Sequence, residues 1–164
     1  VEGRCGFAWI LHSDSGSAPS AELGRSARAS WDAAALALPR SVPLLWNSVN
    51  AAHADEPRLH LVDTYVEQGQ APRCSIVHGP SFGLAFFLLQ ASRVFRTPLP
   101  ADLVASAAIT DDGRVDPVEG LATKLAAARA SFPGVRRVLV AASQVEDARA
   151  CAGDLAIVGV ASAS

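Results

Sequence analysis

The stretch His78-Gly79-Pro80-Ser81-Phe82-Gly83 leads directly into Leu84-Ala85-Phe86-Phe87-Leu88-Leu89. A Gly-Pro pair cannot continue a helix or join a central strand, so the first half forces a turn. The second half is apolar on nearly every face until Gln90, which predicts a buried helix over 81–96. Pro98 and Pro100 stop it. Ser81 therefore stands where a long apolar helix begins. Downstream lies Lys124, the only lysine in the chain. Ser81 and Lys124 are therefore the residues whose chemistry has to be weighed as a pair.

Beyond this helix, 103–110 reads as a strand, Asp111-Asp112-Gly113-Arg114 as a turn, and 115–118 as a returning strand, together a hairpin. Residues 119–131 read as a helix with Leu121, Leu125 and Ala128 on one face, broken by Pro133-Gly134. A strand over 136–142, a short helix over 145–151 and a last strand over 155–161 complete the chain. Upstream, 6–12 reads as a strand and 13–20 as a polar loop. Residues 21–38 read as a helix ended by Pro39, with a second helix over 43–52. Residues 58–66 alternate as a strand, 67–73 form a loop, and 74–77 an extended lead into the Gly-Pro turn. The pattern is α+β or mixed α/β in a single domain over 1–164, with no linker to divide it.

Composition narrows the function classes. A chain of 164 residues that is 50% hydrophobic and 18% charged builds a real core and is not disordered. A net charge of −2 gives no nucleic-acid footprint and no membrane-surface patch. No apolar run reaches the ~18 residues that span a bilayer, and the first residues lack the pattern of a signal peptide. Cys5, Cys74 and Cys151 cannot pair completely and lack metal-ligand spacing. They read as buried thiols of a reducing, cytoplasmic compartment. The chain begins at Val1 and contains no methionine, so the expectation is a piece excised from a larger protein.

A serine hydroxyl attacks poorly until something takes its proton. Lysine can do so only as the neutral amine, and its ordinary pKa is about 10.4, so it must be desolvated or set beside another cation. Lys124 follows Leu121 by three positions and adjoins Leu125, which points its ammonium toward the core. Arginine could not substitute, because its guanidinium does not deprotonate. Of the 14 lysine and arginine residues, Lys124 alone is lysine. The blander reading makes Ser81 a helix cap and lets Lys124 snorkel to water. Spacing alone leaves both open.

The motifs also carry a family resemblance. Gly79-Pro80-Ser81-Phe82-Gly83 before an apolar helix resembles the Gly-Pro-Ser-Ala-Gly nucleophile motif of Lon protease proteolytic domains. Glu119-Gly120-Leu121-Ala122-Thr123-Lys124-Leu125-Ala126-Ala127 resembles the family's Gly-Gly-Leu-x-x-Lys-Leu-x-Ala motif, which holds the catalytic lysine. Between them, 98–104 resembles the entry to the next strand, and Ile109-Thr110, Gly113, Val115 and Pro117 follow the family's hairpin. The serine-to-lysine separation agrees without a gap. The likeness is good from Gly79 to Ala142 and weak before Cys74.

The resemblance implies the compact α+β fold of Lon proteolytic domains (ribosomal protein S5 domain 2-like) and a serine endopeptidase acting on polypeptide through a Ser-Lys dyad. Ser81 would be the nucleophile and Lys124 the general base. Backbone N–H groups around Gly79, Pro80 and Ser81 would stabilise the oxyanion. Ser106 stands where the family commonly has a threonine that bonds the lysine. His78 replaces an acidic residue and Phe82 a small one, so both become candidate substrate-facing positions. Phe82 predicts a narrower or closed pocket, and Ala107-Ala108 replaces a Gly-Glu pair.

No cofactor or metal is implied. There is no phosphate-binding Gly-x-x-x-x-Gly-Lys-Ser/Thr loop, so ATP would enter only through an attached AAA+ motor. A sensor domain is the other expected neighbour, and a hexamer the family's common assembly. The main alternative is a catalytically silent Lon-like module serving assembly or binding, though known modules of that kind lack the Ser and Lys together. A kinase-like phosphate turn needs more Gly and Ser than 78–83 offers and leaves Lys124 unexplained. His12, His53 and His60 read as structural or exposed rather than catalytic.

Overall fold

The computed structural model describes residues 22–43, 76–77 and 79–163. The elements expected over 6–12, 13–20, 58–66 and 67–73 lie outside the described residues, as do Cys5, Cys74, all four histidines and, apart from Pro43, the helix expected over 43–52.

Two short strands, β1 (Glu22–Leu23) and β2 (Ile76–Val77), pair in parallel. Each leads into a helix. From β1 the chain enters α1 (Arg25–Ser41). From β2 it passes through the Gly-Pro turn and one turn of 3₁₀-helix, Pro80–Phe82, into α2 (Gly83–Phe95). The helix pair is a core of its own. Ala27, Trp31, Ala34 and Leu38 recur along one face of α1 and are buried against Phe86 and Phe87 of α2. The Trp31 and Phe86 rings meet edge to face at 5.3 Å. Gln90 Nε2 donates to the Trp31 carbonyl at 3.2 Å, which fixes the register of the two helices. Phe86 is fully buried, which removes enough apolar surface to stabilise the fold by about 2–3 kcal/mol.

Pro39 does not end α1. It lies within the last turn, and the helix continues to Ser41. A proline there removes one N–H, which would have bonded the carbonyl four residues back. That carbonyl belongs to Ala35, which is exposed, so water can satisfy it. Ser41 Oγ bonds the Ala37 carbonyl at 2.9 Å and Val42 N–H the Leu38 carbonyl at 3.3 Å, closing the end.

The second core surrounds a parallel three-stranded sheet ordered β3 (Leu103–Ser106), β6 (Arg137–Ala141), β7 (Ala156–Val160). Between β3 and β6 the chain makes a small antiparallel hairpin, β4 (Ala108–Ile109) with β5 (Val115–Asp116), and then α3 (Leu121–Ser131). Helix α4 (Val145–Ala152) connects β6 to β7. Leu121 and Leu125 of α3 join Val138, Val140, Ala148 and Ala152 in one buried cluster. The expected α3 face is thus the one buried. Among the described residues, helix and strand are mixed, with four α-helices, and no helix is long and apolar enough to cross a membrane.

The single strand expected over 103–110 is two strands in two sheets. The break is Ala107, whose carbonyl turns away from the ladder and accepts the N–H of Leu84 at 3.0 Å. This bond ties the start of α2 to the β3–β4 junction, where Leu84, Ala107, Val115 and Ala141 form a third small cluster.

Register between β3 and β6 is held at its open end by an ion pair. Arg137 reaches Asp102 in bidentate fashion, Nε to Oδ2 at 3.0 Å and Nη2 to Oδ1 at 2.6 Å. The Asp102 carbonyl also accepts the N–H groups of Arg136 and Arg137. The hydrogen bonds from Arg137 hold the Asp102 carboxyl below the ordinary carboxylate range. A lowered folded pKa stabilises above that ordinary range, near 4, and the contribution fades as pH falls through the folded value. Both partners are partly exposed, so the effect is small. Asp102→Asn is expected to lower Tm by on the order of 1–2 °C at pH 7. Thermal melts of the two proteins should converge once the pH has dropped below the carboxylate range.

Candidate active site

Ser81 sits in the middle of the 3₁₀ turn. The turn's cap residue is Gly79, with φ +103° and ψ 155°, Pro80 is its first residue, and no side chain caps it. α2 starts later, at Gly83, whose N–H bonds the Pro80 carbonyl. Ser81 therefore caps neither the turn nor the helix, and the cap reading of this serine is set aside. Its side chain is half-buried. Gly79 has the positive φ that favours glycine, and Pro80 supplies a fixed φ and no N–H.

Gly83 explains why a second glycine follows. A Cβ there would stand 2.6 Å from Ile109 N and 3.2 Å from the Ala108 carbonyl carbon. The turn is pressed against the β3–β4 junction, and Ser106, the last residue of β3, lies in that region. Ser106 is 5% exposed and pairs in register with Val140 of β6.

Lys124 is in the first turn of α3, which starts at Leu121 rather than at residue 119. The start of α3 is anchored from β6: Gln144 follows that strand and grips Val118 at both ends, with Val118 N–H donating to Oε1 at 2.9 Å and Nε2 donating to the Val118 carbonyl at 2.8 Å. β3 and β6 are parallel neighbours. The serine turn is fixed at the carboxyl end of β3 and the lysine-bearing helix at the carboxyl end of β6. Gly83 thus ties the serine turn to the end of β3, and Gln144 ties the approach to α3 to the end of β6.

Three details differ from the sequence reading. The Lys124 ammonium does not turn into the apolar core: Nζ donates to the Glu119 carbonyl at 2.8 Å in an exposed setting, and the side chain is half-buried. The long stem reaches back past the helix start, where an open carbonyl satisfies the charge better than Leu121 and Leu125 could. The Gly79 N–H, expected among the oxyanion donors, instead donates to Ser26 Oγ at 2.9 Å. Phe82 stacks on Phe86, with centroids 5.8 Å apart, and joins the α1–α2 core by one face while staying half-buried. His78 lies outside the described residues.

Sequence reasoning did not single out Ser26 or Gln144. Each acts over a long chain separation, and neither stands in a local pattern that would announce it. Among the described residues, no group of three or more His, Cys, Asp or Glu is placed to hold a metal ion. No protein-family model matches the chain, and no curated protein matches it.

Proposed function

We propose that the chain is a Lon-like proteolytic domain, a serine endopeptidase that cleaves polypeptide with Ser81 as nucleophile and Lys124 as general base. The observation that carries this reading is the placement of Ser81 inside a turn where it caps nothing, at the sheet end that also receives the start of α3. Ser81 Oγ attacks the scissile carbonyl as Lys124 takes its proton, and the lysine then protonates the leaving amine. A neutral amine that donates one N–H to Glu119 still has a lone pair for this task. Since the Gly79 N–H is engaged and Pro80 has none, the Ser81 N–H becomes the oxyanion donor of the three residues expected to supply one. Ser106 is proposed to orient the lysine. His78 and the open face of Phe82 belong to the substrate side in this reading.

Cytoplasmic placement, attachment to an ATP-driven motor or a sensor domain, and ring assembly are parts of the same proposal. The alternative is a catalytically silent Lon-like module, and one contact favours it: the Lys124–Glu119 bond would anchor the start of α3 without any chemistry. A fluorophosphonate probe separates the two. Labelling that maps to Ser81 by mass spectrometry supports the peptidase, and an unlabelled Ser81 supports the silent module.

A further inference from the structure

The serine turn is held from outside its own segment. α1 lies along α2 and the 3₁₀ turn, and it meets them at three heights: Trp31 on Phe86, the Trp31 carbonyl on Gln90, and Ser26 on Gly79. The last contact is the one nearest the proposed chemistry. Ser26 belongs to the first turn of α1. Its carbonyl is bonded by Ser30 Oγ at 3.0 Å, so its backbone is part of a braced helix start. Its hydroxyl oxygen receives the Gly79 N–H at 2.9 Å.

Gly79 decides where Ser81 points. Pro80 has a fixed φ, and the 3₁₀ turn is closed by the Gly83 N–H on the Pro80 carbonyl. The free rotations upstream of Ser81 are therefore concentrated at Gly79, which has no side chain to restrict them. The two residues are close: a Cβ built on Gly79 would lie 4.0 Å from Ser81 Oγ. The Gly79 N–H lies in the peptide plane just upstream of those rotations, so its bond to Ser26 anchors the base from which the hydroxyl is aimed.

We infer that Ser26 is a positioning residue for Ser81, acting through the Gly79 N–H. The inference rests on Ser81 being the nucleophile. The contact is exposed, so water replaces the lost partner when Ser26 is truncated, and stability changes little. The fixed angle is not replaced. Misplacement of a reacting atom by a fraction of an ångström is costly in rate, whereas binding of a long peptide depends on many other contacts. The signature is a loss in kcat with KM held.

The experiment compares Ser26→Ala and Ser26→Thr with the parent chain and with Ser81→Ala. Ser26→Ala is expected to lower kcat for a fluorogenic peptide and the rate of fluorophosphonate labelling by about tenfold or more. KM should stay within about twofold and Tm should hold. Ser26→Thr, which keeps the hydroxyl, is expected to restore the rate. An unchanged kcat in Ser26→Ala overturns the inference, as does a loss that Thr does not restore. The nucleophile is judged separately: labelling in the parent that vanishes in Ser81→Ala supports it, and its absence in the parent sinks that reading alone. The contact then still has its own measurement, amide hydrogen exchange at Gly79 by NMR. Protection in the parent that is lost in Ser26→Ala supports the Ser26 clamp, and equal exchange in both overturns it.

Discussion

Ser81→Ala abolishes fluorophosphonate labelling and peptide cleavage while the protein melts within a degree or two of the parent; that is the expected result if Ser81 is the nucleophile. The stability half of the statement follows from the structure. Ser81 caps no helix and is half-buried, so its hydroxyl can be removed without orphaning a helix N–H. The activity half follows from the chemistry. Without an Oγ no acyl-enzyme forms, and loss of a nucleophile typically costs ~10³–10⁶ in kcat. Lys124→Ala is expected to do the same. Lys124→Arg is the more telling variant, because a guanidinium still donates to the Glu119 carbonyl but cannot take a proton at working pH. If the parent cleaves and Lys124 only anchors α3 while another group is the base, Lys124→Arg stays active; if Lys124 is the base, Lys124→Arg is as dead as Lys124→Ala. Cleavage of full size in Ser81→Ala would rule Ser81 out as the nucleophile.

The second large effect is structural. Gly83→Ala places a methyl 2.6 Å from Ile109 N and 3.1 Å from Ile109 Cγ2. The nearest atom is backbone, so no rotamer change relieves the clash. Either α2 lifts from the β3–β4 junction or β4 shifts against β5, and the Leu84–Ala107 bond stretches in both cases. Overpacking of this kind costs about 1–3 kcal/mol. Alanine's better helix propensity returns at most ~1 kcal/mol, and less at a helix start. The clash wins, and Tm is expected to fall by roughly 3–8 °C; Gly83→Val falls further. Gly134→Ala is the matched control, since a Cβ there meets nothing within 4 Å and its effect is within about 0.5 kcal/mol. A Gly83→Ala protein that melts no lower than the Gly134→Ala protein would mean that α2 does not approach β4 this closely.

Much of the described fold was legible because it is written in short-range chemistry. The Asp111–Arg114 turn carries its own signal, and β4 and β5 pair around it. Leu121, Leu125 and Ala128 are spaced for one helix face, and all three are buried. Errors arose where a hydrogen-bond partner that no periodicity announces decided the outcome, some of them near in the chain and some distant. Pro39 reads as a stop, but Ser41 and Val42 find carbonyls that carry α1 past it. Residues 103–110 read as one strand, but Leu84 claims the Ala107 carbonyl and splits it. At the candidate site, motif spacing located Ser81 and Lys124 in the chain. It could not reveal that the Gly79 N–H was spoken for, because Ser26 is 53 residues away, nor that Lys124 Nζ reaches back to Glu119 rather than inward. Hydrophobic periodicity reports the position of a Cβ, and a side chain with four methylenes can end up well away from it.

The Leu84–Ala107 bond has a further meaning. The proposed nucleophile is carried by the α1–α2 core, and the proposed base by the core around β3, β6 and β7. The two cores meet at the small cluster of Leu84, Ala107, Val115 and Ala141 and at the close approach of Gly83. The gap between serine and lysine is thus set by a joint and not by either core alone. A force that tilts one core on the other by a few degrees would act like a choke on the proposed reaction, leaving every strand and helix intact.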